Sequence, residues 1–291
     1  MSECSFRSYG KVNLYLDVLE RRPDGFTNIE TVLQSIDLWD GLCVWDGAEG
    51  IHLTCSEPSL GCGPENLVYR AAALLKASAG VQQGVSIHLE KNLPIAAGLA
   101  GGSSNAAATL IALSALWDLG LATEQLCELG AQLGSDVPFC VMGGTVAATG
   151  RGEILESLPP LAPRWLVLAH PPLAVTAGHA YGHPGLTRNL EALVGGKTPS
   201  FRAALKNLER GAPEQVIFNR MESGIFLDHP ELAALKEELI ALGCTASAMS
   251  GSGPTVFGLC EDEASARRVA ESVTAVPTTV VRTINCGVAR T

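Results

Sequence analysis

The hydrophobic pattern over the first part of the chain predicts a strand-rich region that becomes helical. Residues 11–18 alternate between apolar and polar side chains, which is the pattern of a half-buried strand. The same reasoning predicts further strands at 29–37, 42–46, 51–55, 85–90 and 144–150. Apolar residues at helical spacing, with a glycine stop after the last segment, predict helices at 64–79, 103–118 and 123–133.

The second part of the chain alternates strands and helices. Strands are predicted at 165–169, 255–260 and 278–283, helices at 230–242 and 263–273, and irregular structure at 170–229. The proline-rich stretch 158–163 is the best candidate linker. We therefore expect two lobes, 1–158 and 159–291, and an α+β fold class.

A loop of small residues separates the strand at 85–90 from the helix that follows. Glycines and alanines within 94–102 leave the backbone bare, so a ligand can approach its N–H groups closely. The next helix begins with unpaired N–H groups and a partial positive charge, and Ser103 and Ser104 can cap it. The loop therefore predicts an anion site, most naturally for phosphate. It matches neither a Walker A loop nor a dinucleotide fingerprint, and a tight loop that only packs is the alternative.

Two polar residues on the first strand and one distant carboxylate suggest a chemical role. Lys11 and Asn13 share the polar face of that strand, and Asp136 stands just before a proline and an apolar residue. A lysine paired with an aspartate suits phosphoryl transfer to an alcohol, because the aspartate takes the hydroxyl proton while the lysine stabilises charge. The alternatives are a solvent-facing strand surface for the lysine and a helix cap for the aspartate. A second glycine turn, 250–255, could be a plain turn.

Composition limits the partners. Twenty basic residues against thirty acidic ones give a net charge of −10, which argues against nucleic acid or an anionic membrane as the main partner. A small anionic ligand would have to be held by backbone N–H groups. The longest apolar stretch, 106–117, is too short to span a bilayer. The N-terminus has no apolar signal region, and the nine cysteines lack a Cys-x-x-Cys pair, so we expect reduced thiols and a cytoplasmic location.

The histidines and serines give no sign of other chemistry. The His179-x-x-x-His183 pair brackets a glycine and precedes a proline, so no metal site is expected there. The sequence has no Gly-x-Ser-x-Gly elbow, which leaves a hydrolase triad without support.

Three of these segments together resemble the motifs of a known superfamily. Residues 11–16, 94–107 and 250–255 resemble, in order, the first, phosphate-binding and third motifs of the GHMP kinases, which include galactokinase, homoserine kinase and mevalonate kinase. The resemblance implies the two-lobed GHMP kinase fold. Its ATP-binding and catalytic N-terminal lobe is similar to domain 2 of ribosomal protein S5, and its substrate lobe is ferredoxin-like.

Further motifs narrow the resemblance within that superfamily. Residues 22–26, 65–67 and 133–139 resemble the branch that phosphorylates the tertiary 2-hydroxyl of a cytidine diphosphate-linked polyol, in the non-mevalonate isoprenoid pathway. ATP and Mg²⁺ are the implied cofactors, and we expect a monomer or a weak homodimer. A GHMP kinase for a different small alcohol, or a nucleotide-binding regulator without catalysis, are the alternatives.

The resemblance assigns roles by position. It implies Asp136 as the general base and Lys11 as its electrostatic partner. It places the ATP phosphates within Pro94, Ile95, Ala96, Ala97, Gly98, Leu99, Ala100, Gly101, Gly102, Ser103 and Ser104, with Asn66 near the adenine. The substrate residues would be Asn13, Phe26, Thr27, Tyr181 and Asn105, and the third glycine motif is Gly251, Ser252 and Gly253. This sequence departs from the branch at Thr27, where a histidine usually follows the aromatic residue; stacking on cytosine by Phe26 is retained.

Overall fold

Two long antiparallel strands, β1 (Glu3–Arg21) and β2 (Thr27–Gly47), form the centre of the first sheet. They belong to a computed structural model that describes residues 3–291. The predicted strands 29–37 and 42–46 are one continuous strand. The strand continues through residues 38–41 because the fully buried Asp40 accepts the backbone N–H groups of Asn92 and Leu93, which satisfies its carboxylate inside the sheet.

Six shorter strands complete the first sheet: β3 (Ile51–Cys55), β4 (Gly84–Glu90), β5 (Thr145–Thr149), β6 (Ile154–Ser157), β8 (Phe218–Asn219) and β12 (Val288–Arg290). The main strand order is β12-β1-β2-β4-β3, and β5 pairs with β2 and β6. Strands β8 and β12, from the second part of the chain, both pair with β1. The strand with the candidate lysine is thus supported from both parts of the chain.

Four helices cover one face of this sheet: α1 (Leu67–Ala79), α2 (Gly101–Leu116), α3 (Thr123–Ala131) and α4 (Val137–Met142). The expected serine cap of α2 is wrong, because the helix begins two residues earlier than predicted. Its N-cap is Ala100, in the left-handed conformation (φ 57°) and without a side-chain cap bond. The Ser104 hydroxyl instead donates to the carbonyl of Tyr9, which ties α2 to β1.

The second sheet has four antiparallel strands: β7 (Trp165–Ala169), β9 (Ala246–Met249), β10 (Val256–Cys260) and β11 (Thr278–Arg282). Their order, β11-β7-β10-β9, and the helices α8 (Pro230–Ala241) and α9 (Glu263–Ser272) between successive strands give the ferredoxin-like arrangement. The α+β prediction is confirmed.

The stretch 170–229, predicted to be irregular, contains three helices: α5 (Ala177–Gly182), α6 (Pro199–Glu209) and α7 (Glu222–Asp228). Helix α6 carried a usable signal, because the Thr198 side chain caps it by accepting the Phe201 N–H and a proline occupies its first position. Phe201 is fully buried and anchors this helix in the core.

The two sheets share an apolar core. One buried cluster joins Val12 and Leu14 of β1 to Leu166 of β7 and Phe257 of β10. The strands change from the first sheet to the second between Ser157 and Trp165, which lies at the predicted boundary, but β8 and β12 return to the first sheet. The division at 158/159 stays a prediction. Within the described residues, no helix is long and apolar enough to span a membrane.

Candidate active site

A cavity of about 1000 Å³ opens between the glycine loop, the first sheet and α5. It gathers most of the residues predicted from sequence. Those that line it are Lys11, Asn13, Phe26, Thr27, Asn66, Pro94, Ile95, Ala96, Ala97, Gly98, Ala100, Gly101, Gly102, Ser103, Asn105, Asp136, Tyr181, Gly251 and Ser252. Three predicted residues lie outside the lining: Leu99, Ser104 and Gly253. Leu99 is buried in the core, and the Ser104 hydroxyl is held by a backbone carbonyl.

The glycine loop has the geometry of an anion cradle. Ala96, Gly98 and Ala100 take the left-handed conformation (φ 52°, 76° and 57°). Alternating left-handed residues turn backbone N–H groups toward one concave side. The first N–H···O bond of α2 runs from Ser104 to Ala100, at 2.8 Å, so the N–H groups that precede Ser104 in the helix have no intrahelical acceptor. The residues that carry them, Gly101, Gly102 and Ser103, line the same cavity as the loop, an arrangement that suits an anion.

Lys11 and Asp136 meet beside this loop. The Lys11 Nζ lies 3.8 Å from Asp136 Oδ2, and it donates to Asn13 Oδ1 and to the carbonyl of Gly98, each at 2.8 Å. The lysine side chain is almost fully buried, whereas Asp136 is 41% exposed. Asp136 precedes α4 as its N-cap but makes no side-chain cap bond, so its carboxylate is available to the cavity. Two hydrogen bonds therefore hold the ammonium while the carboxylate stays open to a ligand.

The second glycine turn locks the loop and the lysine together. Ser250 Oγ donates to the carbonyl of Gly98 at 3.0 Å, the same carbonyl that accepts from Lys11. A Cβ at Gly98 would lie 2.1 Å from the Ser250 carbonyl oxygen, and a Cβ at Gly251 would lie 3.3 Å from Lys11 Nζ. The turn thus requires glycine on both sides of a close backbone contact. Asn13 is fixed in turn, because its Nδ2 donates to Thr31 Oγ1 at 2.9 Å.

Sequence reasoning missed a second lysine behind the loop. Lys91 lines the cavity and forms a buried ion pair with Asp40. Asn105 donates to Asp40 Oδ2 and to Ser8 Oγ, both at 2.8 Å, so its amide is already engaged. A Cβ at Gly101 would lie 3.3 Å from Lys91 Nζ, so this ammonium lies directly against the end of the glycine loop. The sequence held no distinct signal for this pair, because β2 also carries Glu30, Asp37 and Asp46 and nothing in the pattern marks Asp40 as the one that pairs with a lysine.

Asn66, expected near the adenine, lies in the lining but has a structural task. It caps α1: its Oδ1 accepts the N–H of Val68 at 2.9 Å and its Nδ2 donates to the carbonyl of Gly61 at 2.8 Å. Both polar ends of the amide are therefore used by the protein.

The far end of the cavity is built from hairpin tips and α5. Phe26, at the turn between β1 and β2, is 50% exposed and lines the cavity together with Thr27 and Tyr181. Burial, and to a smaller extent the charge of Asp136, raise the pKa of Tyr181 above its ordinary value, so the phenol stays neutral. Arg151, which sequence reasoning also missed, lies over the Phe26 ring with its Cζ 4.9 Å from the ring centroid.

Among residues 3–291, one cluster has the spacing of metal ligands: His179, His183 and Asp228. Its hydrogen bonds oppose a metal. The N–H of Gly185 donates to His183 Nδ1 at 2.9 Å, so the ring proton is on Nε2, which faces Asp228 Oδ2 at 3.2 Å. A metal ligand would need the lone pair of that same nitrogen. Hydrogen bonds from His183 and then His179 lower the pKa of Asp228, as expected for an ionised carboxylate between two imidazoles.

The fold and the cavity define a kinase of the GHMP class, and two family models match accordingly. The model described as GHMP kinases N terminal domain matches residues 66–144, and the model described as GHMP kinases C terminal matches residues 189–278. The shape agrees with this class. The chain superposes on a homoserine kinase from Cytophaga hutchinsonii with a TM-score of 0.77 over 100% of this chain and 98% of that one, at 16% identity, a likeness of fold alone.

Closer relatives specify the family. The chain is 45% identical to 4-diphosphocytidyl-2-C-methyl-D-erythritol kinase of Moorella thermoacetica, over 98% of this chain and 100% of that protein. It is 44% identical to the protein of the same name from Geobacillus kaustophilus, over 91% of each. A crystal structure of 4-(cytidine 5'-diphospho)-2C-methyl-D-erythritol kinase superposes with a TM-score of 0.81 at 36% identity, over 96% of this chain and 98% of that one. The chain belongs to the 4-diphosphocytidyl-2-C-methyl-D-erythritol kinase family. It is therefore a phosphotransferase with an alcohol acceptor, and a kinase family implies ATP as the phosphate donor.

Proposed function

We propose that this chain transfers the γ-phosphoryl group of ATP to the 2-hydroxyl of 4-diphosphocytidyl-2-C-methyl-D-erythritol, as the names of its relatives indicate. The observation that carries the proposal is the position of the Lys11–Asp136 pair. Lys11 Nζ lies 3.8 Å from Asp136 Oδ2. The cavity that contains the pair is lined by the glycine loop on one side and by the exposed ring of Phe26 on the other. An alcohol bound between the two ends would present its hydroxyl to Asp136.

Asp136 is the general base of this reaction. Its carboxylate accepts the proton of the substrate hydroxyl while the hydroxyl oxygen bonds to the γ-phosphorus and the bond to ADP breaks. Lys11 donates to Asn13 and Gly98, so its ammonium is fixed before substrate arrives and needs little reorganisation as charge develops. The ammonium lies 3.8 Å from the carboxylate, where it would stabilise the charge that develops as the phosphoryl group is transferred.

The glycine loop holds the ATP phosphates through backbone N–H groups, and the Lys91 ammonium lies directly behind the loop. The residues present fit a phosphate-bound Mg²⁺, which usually takes most of its ligands from phosphate and water. Ser103, which lines the cavity at the first turn of α2, would add a hydroxyl oxygen to that shell. When bound, the ion neutralises phosphate charge. Asn66 lies at the adenine side and shapes it through its cap of α1.

The substrate binds at the other end, where Phe26 stacks on the cytosine and Tyr181 faces it. Thr27 stands where the branch usually has histidine, so a backbone group at this position replaces the imidazole contact. Asn13, held by Thr31, lies near the substrate phosphates. We assign ATP binding and catalysis to residues 1–158 and the substrate lobe to residues 159–291, which adds Tyr181 to the substrate residues that the first lobe supplies. A cytoplasmic monomer or weak homodimer without a nucleic-acid partner completes the proposal, consistent with a net charge of −10.

A substrate panel tests the function. ADP release is measured with 4-diphosphocytidyl-2-C-methyl-D-erythritol, with its non-cytidylylated phosphate, and with homoserine, mevalonate and a sugar alcohol. We expect turnover with the cytidylylated compound far above the others, and phosphorus NMR of the product should show a new phosphomonoester on the tertiary carbon. Faster turnover with another alcohol would reassign the substrate within the superfamily. Nucleotide binding without turnover on any alcohol would favour a regulator.

A further inference from the structure

Two hairpin tips meet at the exposed end of the cavity. One is the turn between β1 and β2, which carries Phe26. The other, residues 150–153, joins β5 to β6 and carries Arg151 between two glycines with positive φ. The backbone N–H of Ile29 donates to the carbonyl of Gly150 at 2.7 Å, so the second tip is fixed against the start of β2. The positions of the two turns therefore place the guanidinium of Arg151 over the Phe26 ring.

The charges around Arg151 are balanced. Its Nε lies 4.0 Å from Glu153 Oε1, and Arg22 Nη1 lies 3.9 Å from the same oxygen. Arg22 also pairs with Asp24 at 2.8 Å. Two arginines and two carboxylates give this corner no net charge, so it is not built to attract phosphate. It is suited to a neutral ligand group that is recognised by hydrogen-bond direction.

We propose that Arg151 determines the specificity for cytosine over uracil, an inference that rests on the proposed function. A guanidinium carries only donors, arranged as a planar fork that suits two adjacent acceptors. The O2 and N3 atoms of cytosine are such a pair. In uracil the N3 atom carries a proton, which would point at the donor fork. Arg151 and Phe26 both line the cavity, so a base stacked at Phe26 would lie beside a residue that favours cytosine, although this chain lacks the histidine of its branch.

This role differs from a purely structural one. If Arg151 only supported the Phe26 ring, its loss would weaken stacking of both pyrimidines equally. If it reads the base edge, its loss raises KM for the cytidine compound and leaves the uridine compound almost unchanged. The phosphoryl-transfer step occurs at the other end of the cavity, so kcat should change little.

The experiment compares wild type, Arg151→Ala, Arg151→Lys and Arg7→Ala, all as the full chain. Arg7→Ala is the matched control: Arg7 also covers an aromatic ring, with its Cζ 4.4 Å from the Trp39 centroid, but neither residue lines the cavity. KM and kcat are measured at saturating ATP with the cytidine diphosphate-linked substrate and its uridine diphosphate-linked counterpart. Calorimetric Kd values for CDP and UDP give a readout independent of turnover, and the melting temperature checks folding.

For Arg151→Ala we expect kcat to stay within roughly twofold of wild type. The KM with the cytidine substrate should rise about tenfold or more, because a hydrogen bond to a charged donor is lost. The preference for cytidine over uridine should fall by the same factor, in KM and in Kd. Arg151→Lys should retain part of it, and Arg7→Ala all of it. An unchanged preference in Arg151→Ala, or an equal loss for both pyrimidines, would overturn the inference. If wild type binds CDP better than UDP but turns over neither substrate, the proposed function fails while the CDP and UDP affinities still decide the role of Arg151.

Discussion

The two ends of the cavity are built differently. At the phosphate end, Lys11, Asn13 and Asp40 are almost fully buried, and every one of them makes hydrogen bonds to neighbouring groups. At the base end, Phe26 is 50% exposed and stands on a turn, and its neighbour Arg151 stands on another. One end is a preassembled polar network, and the other is a set of surface groups carried on anchored turns.

The difference follows from what each end has to do. Stabilising charge in a transition state requires donors that are already in place, and buried, fully bonded groups meet this requirement. Recognition of a base requires only a stacked ring and a few directed donors, which can be exchanged without disturbing the core. We therefore expect substitutions at the phosphate end to reduce turnover, and substitutions at the base end to change KM and substrate choice.

The largest effect is expected from Asp136→Asn. This change keeps the shape of the side chain but removes the base, so kcat should fall about 10²- to 10⁴-fold, with KM values for both substrates nearly unchanged. Initial rates of ADP release measure the effect. Asp46→Asn, on an exposed β2 position outside the cavity lining, is the control and should keep wild-type rates. A kcat within threefold of wild type would exclude Asp136 as the base.

A smaller effect is expected from Gly98→Ala. The new Cβ would meet the Ser250 carbonyl at 2.1 Å, and φ is +76° at this residue, so the loop must move away from the second glycine turn. We expect kcat/KM for ATP to fall about 10- to 100-fold. Gly80→Ala separates the causes, because Gly80 also has positive φ (66°) but has open space around it and lies outside the cavity lining. Equal losses of activity in both variants would contradict the close-contact explanation.

At the base end, Phe26→Ala should raise KM for the cytidine substrate by about tenfold, since stacking of a base on an aromatic ring is lost. The KM for ATP and the kcat should remain close to wild type, which is the split that distinguishes this end from the phosphate end. Phe26→Trp should preserve binding. Leu190→Ala, at a side chain that is 85% exposed outside the cavity lining, controls for the loss of exposed apolar surface. A fall in kcat without a change in KM would contradict the division between the two ends.

The smallest effect concerns pH. His170 faces Thr255, the last residue of the second glycine turn, at 3.3 Å, and burial lowers the pKa of His170 below its ordinary value. Because the folded protein binds this proton less readily than the unfolded chain does, the contribution of His170 to the free energy of unfolding is fully present above the unfolded-state pKa near 6.5. It is lost as the pH falls from that value toward the lower folded-state pKa. The free energy of unfolding, measured with urea at pH 7.5 and 5.5, should therefore be lower at pH 5.5. His170→Asn should reduce this dependence of the free energy on pH, by at most about 1.4 kcal/mol per pH unit.

His52→Asn, at an exposed position on β3, is the control for this measurement and should leave the slope unchanged. If His170→Asn keeps the full pH dependence, acid sensitivity arises elsewhere in the molecule.

Sequence reasoning performed well where a local pattern decides the outcome. The hydrophobic pattern predicted the strand at 51–55, and the small residues of the loop predicted a cradle that the backbone geometry supports. Alternation also predicted the strand that carries Lys11, but the expectation that this strand is half-buried is wrong. Its polar residues Lys11, Asn13 and Asp17 are buried as well, because both faces of β1 are covered by other parts of the chain. It failed over 170–229, where α5 and α7 are short and their apolar residues pack against distant strands rather than along one helical stripe. The start of α2 was also placed late, because an alanine with positive φ was not expected as its cap.

The motifs of the candidate site could be predicted from the sequence, but the residues that flank those motifs in space could not. Lys91 and Arg151 gave no motif of their own. Their positions depend on contacts with residues far away in sequence, Asp40 for the first and Phe26 for the second. Such pairings are decided by how hairpins and loops come together, which periodicity along the chain does not report.

Strand β12 has a consequence for how the enzyme is made. It pairs with β1 through Phe6 and Ser8, and the carbonyl of Ile284 accepts from Gln34 Nε2 at 2.8 Å just before it. The strand that presents the lysine is therefore synthesised well before its neighbour β12. During translation, the edge of β1 that pairs with β12 therefore stays unpaired until β12 has been synthesised. Kinase activity should thus arise only after β12 has emerged and paired with β1.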